Sequence, residues 1–257
     1  MGFIALLFSL VTLPLWAGEP VPPGPFTDAE CVACHWKWDP MVIETLRTGP
    51  HGAESGVVCS DCHGDRHQSA AQARQNPVCI DCHKGPASHS YATSKHGVIS
   101  RLDRSSGDQP LQRGNYRAPG CAYCHLHDKD HGDTMVPKSD PMARQLICSG
   151  CHSPRYVSEQ LAAGQRLVEV AELKMAEALA LIQGAPEPGA EELKKLEAGT
   201  KDHLSNVRLG AGHQSPDYQW WHGQPALDGD LIRIRDRIAT ERRRKAMEQV
   251  PKQRSIK

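Results

Sequence analysis

Hydrophobic and polar positions divide the chain into two textures. From Ser158 the stretch SEQLAAGQRLVEVAELKMAEALALIQG places Leu161, Leu167, Val168, Val170, Ala171, Met175, Ala178, Leu179 and Ile182 near a 3.6-residue period on good helix formers. Ser158 is the expected N-cap, and Gly184 followed by Pro186 the expected stop. GAEELKKLEAGTKDHLSNVRLGAGH predicts a second helix interrupted at a glycine, and LIRIRDRIATERRRKAMEQV predicts a third. Residues 158–257 therefore predict a helical hairpin or bundle. Residues 18–157 are rich in glycine and proline and keep no long period, which predicts loops and short helices. Ahead of them, Phe3 to Leu15 form an apolar run too short to span a bilayer comfortably, followed by the small pair Ala17-Gly18. That pattern predicts a signal peptide over residues 1–17 and a periplasmic or secreted protein, with an uncleaved anchor as the alternative. The expected fold class is mainly α.

Composition sharpens the contrast. The apolar fraction, not counting glycine, is 39%, and Phe, Tyr and Trp together number thirteen, an aromatic fraction of 5%. With so few rings a core built from ordinary side chains would be thin, so something else must fill it. Lys and Arg number 30 and Asp and Glu number 30, for a formal net charge of zero, which argues against nucleic acid as a partner. The basic run Arg242 to Lys245 sits toward the end of the third predicted helix, where cations oppose the negative pole of the helix dipole.

The ten cysteines explain what fills the core. They form five pairs, each followed at once by histidine: CVACH at Cys31 and Cys34, CSDCH at Cys59 and Cys62, CIDCH at Cys79 and Cys82, CAYCH at Cys121 and Cys124, CSGCH at Cys148 and Cys151. C-x-x-C-H is the attachment signature of c-type haem. Two thiols at this spacing add to the two vinyl groups of a porphyrin, and the adjacent histidine becomes the proximal iron ligand. Zinc ribbons use such pairs two at a time, so five would leave one stranded, and a disulfide framework needs no histidine after each pair. The expectation is five covalently bound haem c groups with His35, His63, His83, His125 and His152 as proximal ligands. Burying so many flat apolar bodies contributes in the same way as burying side chains, at roughly 25 cal/mol per Å². All five motifs lie between Cys31 and His152, so the haems must be near neighbours.

Nine histidines remain, enough to supply every iron with a second imidazole: His51, His67, His89, His96, His127, His131, His203, His213 and His222. The sixth ligand decides function, because an iron held by two imidazoles only relays electrons whereas an open position binds a small molecule. A short internal repeat favours His51 and His96: CVACH is followed by LRTGPHG and CIDCH by ATSKHG. His67 in CHGDRH, His131 in CHLHDKDH and His213 in GAGHQSPDYQWWHG complete the expected distal set. In that last stretch Tyr218, Trp220 and Trp221 are candidates for flat walls against porphyrins.

Four segments taken in order, CIDCHKGPASHSYATSKHG, APGCAYCHLHDKDHG, ICSGCHSPRYVSEQL and GAGHQSPDYQWWHG, followed by long C-terminal helices, resemble the octahaem hydroxylamine oxidoreductase family. The likeness runs from about Cys59 to Trp221. It implies a multihaem fold, chemistry on hydroxylamine, hydrazine or nitrogen oxyanions, and a homo-oligomer assembled through C-terminal helices. With five motifs where that family has eight haems, the chain looks like a shortened relative. In the family the catalytic haem lacks a sixth protein ligand, and oxidative members cross-link it to a tyrosine. The resemblance makes the haem on Cys31 and Cys34 the catalytic counterpart and carries over Asp130, His131 and Tyr218 as active-site candidates. The pentahaem nitrite reductases attach their catalytic haem through C-x-x-C-K, and no such motif occurs here.

Two functions stand open on the sequence. One is a pentahaem electron carrier with bis-histidine irons, serving redox partners such as other cytochromes or a membrane quinol-linked complex. The other is an oxidoreductase acting on hydroxylamine, nitrite or a related nitrogen compound at one five-coordinate haem.

Overall fold

A computed structural model describes residues 24–66, 70–104, 118–126, 131, 141–185 and 190–249, so the expected signal peptide, His67, His127 and Asp130 lie outside the described residues. Among the described residues the regular structure is helical throughout. The first part is a run of short helices: α1 (Asp28–Trp38), α2 (Pro40–Thr48), α3 (Cys59–His63), α4 (Ala70–Ala73), α5 (Asn76–Ile80), α6 (Pro86–Thr93), α7 (Lys95–Arg104), α8 (Cys121–His125) and α9 (Pro141–Ser149). The second part is made of α10 (Pro154–Gln183), α11 (Ala190–His213), the single-turn α12 (Pro216–Trp220) and α13 (Gln224–Gln249).

Local chemistry sets the helix starts. Thr27 and Glu30 form a reciprocal cap at α1: the Thr27 hydroxyl accepts from the Glu30 N–H at 3.4 Å, and the Glu30 carboxylate accepts from the Thr27 N–H at 2.8 Å. Helix α10 starts earlier than its apolar period suggests. Its N-cap is Ser153, not Ser158; the Ser153 hydroxyl accepts from the Tyr156 N–H, and Pro154 occupies the first helical position, where its missing N–H costs nothing. Gly184 ends it, as expected. Helix α11 runs unbroken through Gly199, Gly210 and Gly212, where the sequence predicts an interruption. Burial of Leu193, Leu204 and Val207 on its inner face outweighs the roughly 1 kcal/mol that each helical glycine costs. Helix α13 begins at Gln224, seven residues ahead of the expected Leu231.

The three long helices enclose the main side-chain core. Ala171, Met175, Leu204, Val207 and Leu227 form one cluster; Ala178, Leu193, Leu231, Ile234 and Ile238 form the next. Two buried carboxylates inside the bundle are paired: Asp230 accepts from His203 Nδ1 at 2.6 Å and is bonded to Arg233, while Glu241 meets Arg237 at 2.8 Å and Arg244 at 3.0 Å. His203, one of the nine spare histidines, thus joins α11 to α13. Among the described residues no helix is long and apolar enough to cross a membrane.

Helix α6 is the seam between the two parts. Its Ser90 and Thr93 bond His213 at 3.1 Å and Ser215 at 2.9 Å, and its His89 bonds Tyr218 at 3.1 Å. Leu227, wholly buried where the three long helices meet, tests the bundle. Leu227→Ala is expected to destabilise the protein by about 2–5 kcal/mol, read from thermal unfolding followed by far-UV circular dichroism.

Candidate haem-binding site

The motifs at Cys31, Cys59 and Cys121 lie in α1, α3 and α8. Those at Cys79 and Cys148 start at the ends of α5 and α9 and finish in the turn that follows, where the N–H groups of His83 and His152 still donate to the first cysteine's carbonyl. In each motif the two thiols therefore sit about one turn apart. The motif helices follow one another in space as they do in sequence. Cys31 lies beside Cys59, Cys62 beside Cys79 and Cys82, Cys79 is hydrogen-bonded to Cys121, and Cys124 lies beside Cys148. Burial is the main cause raising the thiol pKa values of Cys31, Cys59 and Cys62, and it pushes Cys124 up to about 11; for Cys79 the bond to Cys121 comes first and burial second.

The histidine rings meet in pairs. The centroids of His51 and His83 are 5.8 Å apart, those of His63 and His131 6.1 Å, those of His96 and His152 6.0 Å, and those of His125 and His213 6.3 Å. In every pair one member follows a cysteine pair and the other does not. Two metal–nitrogen bonds of about 2 Å, with about 1 Å more from each nitrogen to its ring centre, put trans imidazoles about 6 Å apart. The rings therefore stand at the separation one iron between them requires. Large apolar side chains lie exposed on and beside the motif helices, among them Trp36, Trp38, Met41, Ile80, Met142 and Leu146, as surfaces for porphyrins to cover. The donor set and the surroundings fit haem.

Two of these imidazoles are held in the neutral form that a metal ligand needs. His213 is pushed down to about 4 by burial and by the neighbouring His125, and His96 is lowered by burial and by His152, so both are neutral at pH 7. With Nδ1 of His213 donating to the buried Ser90 hydroxyl at 3.1 Å, Nε2 keeps its lone pair for a metal. His131 Nδ1 is buried with no hydrogen-bond partner among the described residues.

The remaining candidates are arranged differently. His89 and His222 are also 6.3 Å apart, but the Tyr218 ring lies 5.6 Å from one and 5.2 Å from the other, filling the space a porphyrin plane would need. Tyr218 is buried and its hydroxyl is engaged by His89. Trp220 and Trp221 are exposed. His131, also a catalytic candidate by resemblance, has its ring against His63. Ser90 went unnoticed in the sequence, where a serine four residues into a short helix carries no ligand signal.

A family model described as seven times multi-haem cytochrome CxxCH matches residues 53–144. Residues 53–144, which carry three of the five motifs, are therefore similar to multihaem cytochromes. The chain is similar to a protein named "Probable nitrite reductase-hydroxylamine oxidoreductase fusion protein" from Kuenenia stuttgartiensis, at 24% identity over 86% of this chain and 43% of the relative. It is also similar to the multiheme cytochrome MtrA of Shewanella baltica (strain OS185), at 26% identity over 48% of this chain and 45% of the relative. Among solved structures, a chain of the Kuenenia stuttgartiensis reducing HAO-like protein complex shares the fold at TM-score 0.50 and 20% identity, covering 74% of this chain and 60% of that one. A "hypothetical multiheme protein" does so at TM-score 0.55 and 13% identity, covering 74% and 59%. The chain spans less than half the length of the two curated relatives. The resemblance to hydroxylamine oxidoreductase-like cytochromes and the mainly α multihaem fold both hold.

The depressed value of His213 gives a pH dependence. The unfolded chain takes up this proton near pH 6.5 and the folded chain only near 4, so the stability tied to neutral His213 is complete above about 6.5 and lost as pH falls toward 4. Iron bonded to Nε2 of His213 would compete with the proton, so the low-spin haem signal of the loaded protein is expected to persist below pH 6.5 and to be lost only on further acidification, read by absorbance titration.

Proposed function

We propose that the protein is a periplasmic or secreted electron relay in which five haems are each held by two histidines. The observation that carries this reading is the set of four ring pairs, each joining a motif histidine to a histidine from elsewhere at the separation of trans ligands. His51 would serve the iron of His83, His131 that of His63, His96 that of His152 and His213 that of His125. His67 is assigned to the fifth iron, on His35.

Haem supplies reversible one-electron chemistry, and the chain's own groups decide what that chemistry does. Each histidine pair would hold its iron from two sides and leave no room for substrate, so the group would supply electron exchange alone. The cysteine pairs, which follow one another in space in the order of the motifs, would hold the haems along one path. Ser90 orients His213, and burial keeps the ligands neutral. Electrons would enter and leave near the first and fifth haems, through other cytochromes or a quinol-linked complex. The signal peptide expected over residues 1–17 supports export, residues 18–157 would form the haem-carrying part, and the C-terminal helices would serve any self-association.

Electron paramagnetic resonance of the oxidised, haem-loaded protein tests the reading. All irons are expected to be low-spin, and the reduced protein should not bind nitric oxide. His213→Ala should convert one haem per chain to a high-spin, ligand-binding form. A high-spin iron in the unmodified protein, with turnover of hydroxylamine or nitrite, would instead establish the enzymatic reading.

A further inference from the structure

We propose that the haem region consists of two copies of a two-haem unit, with Asp28 and Asn76 as equivalent positioning residues that fix the second haem of each unit against the first. The proposal rests on the haem reading above and adds to it an internal order. The first unit would carry the motifs at Cys31 and Cys59, the second those at Cys79 and Cys121.

The clamp is alike in both, offset by one position: Asp28 grips the residue after the first cysteine of its motif, Ser60, and Asn76 the first cysteine itself, Cys121. Asp28 stands three residues before Cys31, and Asn76 three residues before Cys79. Asp28 Oδ1 accepts from the Ser60 N–H at 2.8 Å and Oδ2 accepts from the Ser60 hydroxyl at 3.0 Å. Asn76 Oδ1 accepts from the Cys121 N–H at 2.8 Å. Both N–H groups belong to the first turn of a motif helix, where backbone donors have no partner within the helix. The local N-cap residues, Val58 and Gly120, have no side-chain oxygen to offer. Capping is supplied instead by the preceding motif's helix, across 32 residues in one unit and 45 in the other.

Two independent features repeat with the same period. Within each unit the first thiols are neighbours, Cys31 with Cys59 and Cys79 with Cys121, whereas between units the second thiol approaches the next motif, Cys62 toward Cys79 and Cys124 toward Cys148. The His-Gly pairs also correspond: His51 faces the histidine of the motif two places on, His83, and His96 faces His152 in the same relation. Both glycines are sterically required. A Cβ at Gly52 would fall on the Arg47 carbonyl oxygen, and one at Gly97 on the Tyr91 carbonyl oxygen.

The second clamp is the more embedded. Asn76 is buried and its amide donates to the Tyr91 hydroxyl at 3.1 Å and to Ser100 at 3.2 Å, while Tyr91 donates to the Pro119 carbonyl at 2.9 Å. One amide therefore ties α5, α6, α7 and α8 together. Asp28 is only partly buried and bonds Ser60.

The test uses the haem-loaded full chain and nuclear magnetic resonance of haem methyl groups during a redox titration, which follows each haem separately. Asn76→Ala is expected to shift the midpoints of the haems on Cys79 and Cys121 and leave those on Cys31 and Cys59 in place. Asp28→Ala should do the reverse, with a smaller shift. Asp28→Asn keeps an acceptor for the Ser60 N–H and gains a donor to its hydroxyl, so it should keep only the shift from the lost charge, which it shares with Asp28→Ala, and lie closer to wild type than the alanine variant. Asn76→Asp keeps the bond to Cys121 and should fall between Asn76→Ala and wild type; these two variants carry the test where Asn76→Ala fails to load haem. Equal shifts of all haems, no shift in either pair, or an Asp28→Asn that behaves like the alanine variant would overturn the proposal. Failure of the haem reading would show separately, as high-spin iron in the wild-type spectrum.

Discussion

The proposed relay depends on one constraint: two imidazoles from distant parts of the chain stand about 6 Å apart, the separation one metal between them would set. Among the described residues, the part that carries the motifs has few buried apolar side chains, chiefly Ile43, Ala118, Ala122 and Ile147, whereas the bundle has two full clusters. On the proposed reading its compactness would rest on haem held between His51 and His83, His63 and His131, His96 and His152, and His125 and His213. Cross-links that close long loops remove the most freedom from the unfolded chain. Because a preformed site does not survive unfolding, ligation and folding are coupled.

The bundle contributes by position. Its long helices pack around ordinary aliphatic side chains and present His213 at the end of α11, where α6 receives it through Ser90. Thr93 and Ser215 make a second bond across the same seam. On the proposed reading, the part of the molecule that folds on side chains would supply a ligand to the part that carries the cofactors. The tight turn from α11 into α12 explains the aromatic and histidine-rich stretch there: Ser215 caps α12 by accepting from the Tyr218 N–H, and Tyr218 is buried beneath it.

The haem-attachment pattern and the three long helices were legible because each follows a local rule, thiol spacing in one case and apolar period in the other. His51 and His96 stood out through their shared His-Gly pair. Which ring faces which was not legible, since His131 and His213 reach their partners across 68 and 88 residues and no local spacing encodes that. Start sites were misread where a better cap lay upstream, as at Ser153, and the glycines of α11 read as a break because their cost is local while the packing that offsets it is not. Asp28 and Asn76 look like ordinary residues near a helix start; their bonds go to other helices.

An iron anomalous difference map from crystals of the haem-loaded chain tests the central claim most directly. The account predicts five iron peaks in the order of the motifs, with four lying midway between the ring pairs of His51 and His83, His63 and His131, His96 and His152, and His125 and His213. Irons bonded to the motif histidines alone, with the second ring of each pair turned away, would contradict it.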